Sequence, residues 1–128
     1  METGMHLAEK GHNVTVLEKE SILARDAVRI HYYSAFKNAW EQFPNFKYVL
    51  NANCTGITED GVTYMDADGK QQSLKAGSMV VSAGMKAQTE LALKFQDAGD
   101  RFYMVGDCEV AADLQRAMRT AFSTASML

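Results

Sequence analysis

Several residue types and patterns that mark particular protein classes are scarce in this sequence. Its 128 residues include one proline, two cysteines and three histidines. The cysteines, Cys54 and Cys108, are far apart and lack the short spacing of a metal or redox motif. We therefore expect reduced thiols in a cytoplasmic protein and no metal site. The formal net charge of −3 argues against nucleic acid or an anionic membrane as a partner.

Long apolar segments are also lacking. No apolar run approaches the roughly 20 residues of a membrane-spanning helix. The N-terminus has neither the basic start nor the apolar core of a signal peptide. What is present instead is an ordinary balance of residues, 47% apolar and 23% charged, which is typical of a globular domain.

Helical and β-type patterns alternate in the first fifty residues. Residues 2–10 are good helix formers that stop at Gly11. The run Val14-Thr15-Val16-Leu17 is short, apolar and rich in β-branched residues, which predicts a buried strand. Apolar residues spaced three and four apart over residues 24–43 predict an amphipathic helix. Residues 46–50 predict the next strand, so the segment is typical of part of a βαβ unit.

The pattern changes after residue 53 to short alternating runs separated by Asp-Gly pairs. Such pairs predict hairpin turns, and we expect an antiparallel meander whose third strand is residues 71–74. Further strands are predicted at residues 79–83 and 102–105, and a closing amphipathic helix at residues 114–127. The predicted fold class is α/β with a three-stranded antiparallel insertion.

Three segments carry a resemblance to a known family. Residues 2–18 (ETGMHLAEKGHNVTVLE) resemble the nicotinamide-binding βαβ unit of flavoproteins with two dinucleotide-binding domains. Residues 80–86 (VVSAGMK) and 103–108 (YMVGDC) continue the pattern. The sequence is most similar to the C-terminal FAD/NAD(P)-binding region of NADH:flavin oxidoreductases of the 2-enoate and 2,4-dienoyl-CoA reductase type, which are relatives of old yellow enzyme.

This resemblance implies an incomplete Rossmann-like fold in two parts. Residues 1–88 would form a nicotinamide-binding subdomain without its first strand and glycine loop. Residues 89–128 would be the returning C-terminal strand–helix segment of a flavin-binding subdomain. The implied cofactors are NADH (or NADPH) and FAD in a full-length parent enzyme. The expectation for this chain alone is no catalytic turnover, and it would bind either a dinucleotide cofactor or no cofactor at all.

Glu18 is the first candidate binding residue, since it follows the predicted strand of residues 14–17. An acidic side chain there can accept hydrogen bonds from the adenosine ribose hydroxyls, which favours NADH over NADPH. The alternative is a solvent-exposed acid in a charged turn.

The other candidates are Gly84, Gly106 and Asp107. By the resemblance, Asp107 would contact the ribityl or ribose hydroxyls of a flavin, and Gly106 would allow close approach of the backbone. The alternative for Asp107 is the N-cap of a helix. Gly84 either lets the backbone pass near a cofactor or simply ends a strand. No residue of the sequence is assigned a catalytic role.

A second class of function is a non-catalytic dimerisation or complementing module. In a doubly wound sheet the missing first strand is normally central, so its loss would expose strand edges that can pair with another chain. We therefore expect a homodimer or another association through sheet edges.

Overall fold

The chain is a mixed α/β protein, and the computed structural model describes residues 1–29 and 31–128. The chain forms two units, Met1–Met79 and Val80–Leu128. The division lies nine residues before the predicted boundary at residue 88. That boundary separates two cofactor-binding roles and stays a prediction.

The first unit begins with helix α1, Glu2–Glu9, and glycine ends it as expected. Gly11 has a positive φ of 87°. The N–H of Gly11 donates to the Ala8 carbonyl at 2.9 Å, and the N–H of His12 donates to the Leu7 carbonyl at 3.1 Å. These two bonds form a Schellman motif, in which a left-handed residue satisfies the last carbonyls of the helix.

Strands β1, Val14–Leu17, and β2, Phe46–Val49, form a parallel two-stranded sheet. Val14 is opposite Phe46, and Leu17 is opposite Val49. Helix α1 packs closely on this sheet because Gly4 has no side chain. A Cβ at Gly4 would lie 3.0 Å from the Phe46 ring.

The core of this unit is small and lies between the helices and the parallel sheet. Its members share exposures below 10%, and they are Ala8, Leu23, Trp40 and Phe46. Trp40 also makes edge-on contacts with the rings of Tyr33 and Phe36, with centroid distances of 5.8 and 6.1 Å. This core fixes the position of β1 and therefore of the loop that follows it.

The single helix predicted over residues 24–43 is wrong, because the structure has two helices there. They are α2, Arg25–Arg29, and α3, Tyr33–Trp40. His31 between them has a left-handed φ of 57°, which cannot continue a right-handed helix. Residue 30 lies outside the described residues. The separation also changes burial, since Tyr32 on the predicted apolar stripe is 53% exposed.

The predicted meander is confirmed. It consists of β3, Asn53–Thr58, β4, Gly61–Met65, and β5, Gln71–Lys75. Both pairings are antiparallel, in the order β3-β4-β5. In the second turn Gly69 adopts a φ of 75°. The Asp66 carboxylate accepts hydrogen bonds from the N–H groups of Asp68 and Lys70 at 3.0 and 2.9 Å, as Asp does in tight turns.

The second unit contains α4, Thr89–Leu93, a short 3₁₀ turn, Gly106–Cys108, and α5, Leu114–Ala125. The closing helix is thus confirmed, two residues shorter than expected. Its N-cap is Asp113, whose carboxylate accepts from the Arg116 N–H at 2.8 Å. None of residues 80–128, all of which the structure describes, is buried.

The strands predicted at residues 79–83 and 102–105 are not formed. Both segments are irregular and have no ladder partner in the described parts of the chain. Val80 and Val81 are 68% and 71% exposed. A β-branched run becomes a strand only where a neighbouring strand supplies hydrogen bonds. The predicted strand–helix segment near the C-terminus is therefore a helix preceded by irregular backbone.

The observed architecture confirms the coarse prediction, a mixed α/β fold with a three-stranded antiparallel sheet beside parallel strands. The finer assignment to a Rossmann-like domain stays a prediction. Over residues 1–29 and 31–128, no helix is long and apolar enough to cross a membrane.

Candidate functional site

The candidate residues divide between the two units. Glu18 belongs to the first unit, whereas Gly84, Gly106 and Asp107 belong to the second. Each location is therefore a separate candidate. Among residues 1–29 and 31–128, no three histidine, cysteine or acidic side chains come together as metal ligands, and both cysteines are exposed free thiols.

Glu18 lies immediately after the carboxyl end of β1, and the backbone holds it firmly. Its N–H donates to the Val49 carbonyl at 2.9 Å, and its carbonyl accepts from the Ala52 N–H at 2.9 Å. The Glu18 side chain is half-buried, and its Oε1 accepts a hydrogen bond from the Glu20 N–H at 3.0 Å. The carboxyl ends of parallel strands are where ligands bind in open α/β sheets.

Two charged residues that the sequence did not single out complete this location. Arg25 Nη1 donates to Glu20 Oε2 at 3.0 Å. We name residues 18–20 together with Arg25 the β1 loop cluster. No periodicity connects residues 20 and 25, because the intervening turn includes Ala24 with a left-handed φ of 50°. Only the folded backbone reveals their pairing.

The second location is an open cleft of about 350 Å³ in the C-terminal unit. We name it the Asp107 cleft. Its lining residues are those around the 3₁₀ turn and the segment after Gly84, namely Met85, Lys86, Gln88, Asp107, Cys108 and Ala111. Lys86 is the cationic side chain of this set and was not predicted as a site residue. The cleft is partly held together by Thr89, whose hydroxyl donates to the Cys108 carbonyl at 3.0 Å.

Asp107 is exposed within the 3₁₀ turn. Its Oδ1 accepts a long hydrogen bond of 3.3 Å from the Ala112 N–H. The alternative role as a helix N-cap does not apply to α5, because Asp113 has that position. The carboxylate therefore remains accessible to a ligand in the cleft.

The two glycines differ in what surrounds them. Gly106 has a φ of 63°, and a Cβ there would lie 3.4 Å from the Ala117 Cβ of α5. Its N–H donates to the Thr120 hydroxyl at 2.9 Å. Gly106 is thus required by its left-handed conformation and the nearness of α5. Gly84, with a φ of 86°, has open space where a Cβ would be. Residues 79–83 before it do not form a strand, so the strand-ending role does not apply, and close approach to a cofactor stays a prediction.

Comparison with solved structures relates this fold to that of oxidoreductases. No protein-family model matches the sequence, and no curated protein matches it. A solved structure of 2-naphthoyl-CoA reductase in complex with 2-naphthoyl-CoA is 30% identical over 94% of this chain, with a TM-score of 0.78. The chain covers 18% of that reductase.

A second solved structure, 6-hydroxypseudooxynicotine amine oxidase from Pseudomonas geniculata N1, matches 94% of the chain with a TM-score of 0.70. Its identity of 18% shows the fold alone, and the chain covers 19% of that enzyme. The chain therefore has the fold of a region that makes up less than a fifth of each neighbour. This confirms the expected oxidoreductase relationship at a coarse level.

Proposed function

We propose that this chain is part of a flavin-dependent NAD(P)H oxidoreductase related to the enoate and dienoyl-CoA reductases. Its first unit would bind the adenosine half of the nicotinamide dinucleotide, and its second unit would contact FAD. The observation that carries the proposal is the 30% identity over 94% of the chain to a reductase. The substrate of that reductase is a CoA thioester, as in the dienoyl-CoA reductases that the sequence resembles.

The β1 loop cluster fits the ribose of a dinucleotide. Glu18 lies at the carboxyl end of a parallel strand, and one of its carboxylate oxygens is already fixed by the Glu20 N–H. Because one oxygen is already hydrogen-bonded, the carboxylate is oriented before a ligand binds. Such preorganisation favours binding because less conformational entropy is lost. The half-exposed carboxylate is an acceptor for ribose hydroxyls, and a 2′-phosphate would meet its negative charge. The proposed preference is therefore NADH.

The Asp107 cleft fits a polyhydroxylated chain such as the ribityl group of a flavin. Asp107 supplies an accessible carboxylate acceptor, and Lys86 supplies a cation on the same cleft. Gly106 sets the backbone direction at the start of the turn through its positive φ. When bound, the flavin supplies the electron transfer, while these side chains bind and orient it.

The chain contains no residue to which we assign catalysis, and we propose that it has no turnover by itself. NADH oxidation by the isolated chain, with or without added FAD, would contradict this part of the proposal. A preparation that binds NADH but does not oxidise it is the expected result.

The test of the binding role is calorimetric titration of the chain with NADH, NADPH, FAD and ADP. We expect saturable NADH binding that weakens about tenfold or more in Glu18→Gln, since a hydrogen bond to a charged group contributes about 1.5–3 kcal/mol. Glu41→Gln is the matched control, because Glu41 pairs with Lys37 at 3.7 Å on an exposed helix face. No binding at millimolar ligand, or an equal loss in both variants, would refute the assignment of Glu18.

A second candidate function is a non-catalytic dimerisation or complementing module, with homodimerisation as its simplest form. It is favoured by the exposed apolar face of α5, where Leu114, Met118 and Phe122 are 77%, 65% and 75% exposed. Residues spaced in this way form one stripe of a helix, and exposed apolar stripes are typical of interaction surfaces. Light scattering at high protein concentration tests it, and a strictly monomeric chain would refute homodimerisation.

A further inference from the structure

The β1 loop cluster contains an arrangement of charges that bears on which dinucleotide the chain accepts. Hydrogen bonds fix its backbone and side chains. The Asn51 N–H donates to the Glu20 carbonyl at 3.0 Å, and the Ala52 N–H donates to the Glu18 carbonyl at 2.9 Å. Ala52 is 2% exposed. The loop is therefore attached to the segment that follows β2 rather than being an independent turn.

Glu20 is the central residue of the cluster. Its N–H donates to Glu18 Oε1, and its own Oε2 accepts from Arg25 Nη1, both at 3.0 Å. The position of Arg25 follows from the preceding turn, in which Leu23 is 2% exposed and Ala24 is left-handed. The guanidinium and the carboxylate that we assign to the ribose are thus both hydrogen-bonded to Glu20.

The formal charges of the cluster balance. Glu18 and Glu20 are negative, and Lys19 and Arg25 are positive. Arginine is the residue that accommodates a ribose 2′-phosphate in related folds, whereas an acidic residue favours a free 2′-hydroxyl. Here the arginine is present but is engaged by a carboxylate.

We propose that the Glu20–Arg25 ion pair determines the discrimination between a 2′-hydroxyl and a 2′-phosphate on the adenosine ribose. This inference rests on the proposed function of Glu18. Glu20 neutralises Arg25 and so prevents it from attracting a 2′-phosphate. Removal of the Glu20 charge leaves the guanidinium available to a phosphate, while Glu18 continues to accept hydrogen bonds from the ribose.

The probes for the test are adenosine 5′-phosphate and adenosine 2′,5′-bisphosphate, which differ only in the 2′-phosphate. NMR titration of the full chain gives a Kd for each, even where binding is weak. The proteins are the unaltered chain, Glu20→Gln, Arg25→Gln and the double variant, all of which retain Glu18. Urea titration of each variant checks that it is folded, and Glu41→Gln is the control for loss of one negative charge in an exposed ion pair.

We expect Glu20→Gln to raise the affinity for the bisphosphate relative to the monophosphate by about threefold to tenfold, the range for charged hydrogen bonds at partly exposed positions. The gain should disappear in the double variant and be absent in Glu41→Gln. An unchanged ratio in Glu20→Gln, with both probes bound, would overturn the inference and leave the proposed function standing. A gain that persists in the double variant would also overturn it, because loss of a negative charge alone would then explain the result. Failure of every protein to bind either probe would instead overturn the proposed function and, with it, this inference.

Discussion

Gly61→Ala is the substitution whose cost the structure predicts most directly. Gly61 begins β4 and is opposite Lys75 of β5. Its φ of 154° lies in a region that L-residues rarely adopt. A Cβ at this position would overlap the carbonyl oxygen of Leu74 and would approach the Lys75 Cα to 2.9 Å and the Ala76 nitrogen to 3.0 Å. All three are backbone atoms, so no side-chain rotation can relieve the contact.

The expected magnitude follows from two contributions. Overpacking costs about 1–3 kcal/mol, and a residue forced into an unfavourable backbone region costs a similar amount. Together they predict a loss of about 2–6 kcal/mol in the free energy of opening of the β4–β5 hairpin. The Ala76 N–H, which donates to the Asp60 carbonyl at 3.0 Å, would also be displaced.

Two other glycines provide matched controls for the two contributions. Gly69 has a φ of 75° but no atom within 4 Å of an added Cβ, and Gly77 is equally open without a positive φ in that range. Gly69→Ala should therefore cost only the backbone strain, about 1–2 kcal/mol. Gly77→Ala should be neutral, or it should stabilise the protein by up to about 1 kcal/mol because alanine lowers the conformational entropy of the unfolded chain.

Amide hydrogen exchange of β4 and β5 measures the opening free energy in the hairpin itself. Each 1.4 kcal/mol is a tenfold change in protection, so Gly61→Ala should reduce protection by about 30-fold or more relative to the unaltered chain. Protection that is equal in Gly61→Ala and Gly69→Ala would show that the overlap with Leu74 is absent and would refute the reasoning.

Three further substitutions or titrations test other parts of the structure. Asn45→Asp removes the side-chain amide donors that reach two backbone carbonyl oxygens at 2.8 and 2.7 Å. The free energy of unfolding in urea should therefore fall by about 1–3 kcal/mol, and an unchanged value would contradict this. The side-chain amide of Gln72, followed by backbone N–H groups, holds the pKa of Asp66 below its usual value. Because the folded-state pKa is the lower one, the associated stability is present above about pH 4 and is lost as the pH falls through the folded-state pKa; an NMR titration that gives an ordinary pKa would be the contrary result. Asp113→Ala removes the acceptor for the Arg116 N–H and should destabilise α5 by about 0.5–2 kcal/mol, whereas Asp113→Asn should retain most of the helix signal in circular dichroism.

The elements that the sequence predicted correctly are those determined by local chemistry. Gly11 ends α1 because only a left-handed residue closes the Schellman motif, and Asp66 and Gly69 form the hairpin turn for similar local reasons. The run Val14–Leu17 is a strand because β2 is available to pair with it. In each case the residue pattern and its partner lie in the same unit.

The incorrect predictions involve tertiary context. The apolar run at residues 79–83 has the composition of a buried strand. A strand also needs a partner strand that accepts and donates its backbone hydrogen bonds, and the described part of the chain has no such partner there. The spacing over residues 24–43 is helical throughout, but the left-handed φ of His31 separates α2 from α3. The spacing of apolar residues indicates which of them could share one helix face. It does not reveal that one residue among them has a left-handed backbone conformation.

The candidate site was partly visible in the sequence. Glu18 was identifiable because an acid after a β-branched strand is a local pattern. Its neighbours Glu20 and Arg25 were not, because their contact depends on the turn at Ala24. Lys86 could be identified as a candidate site residue only from the structure, in which it lines the same cleft as Asp107 of the 3₁₀ turn. Contacts that depend on the geometry of a turn therefore required the folded backbone.

The burial of Trp40 makes the two units optically distinguishable. It is the only tryptophan of the chain, it is 3% exposed, and it lies in the first unit. The second unit contains Tyr103 as its single tyrosine and no tryptophan. Fluorescence excited at wavelengths that tyrosine does not absorb thus reports on the first unit alone. A red shift of that emission during denaturation would record the exposure of Trp40 as the first unit loses its core. The signal would not depend on whether the helices after residue 79 are folded.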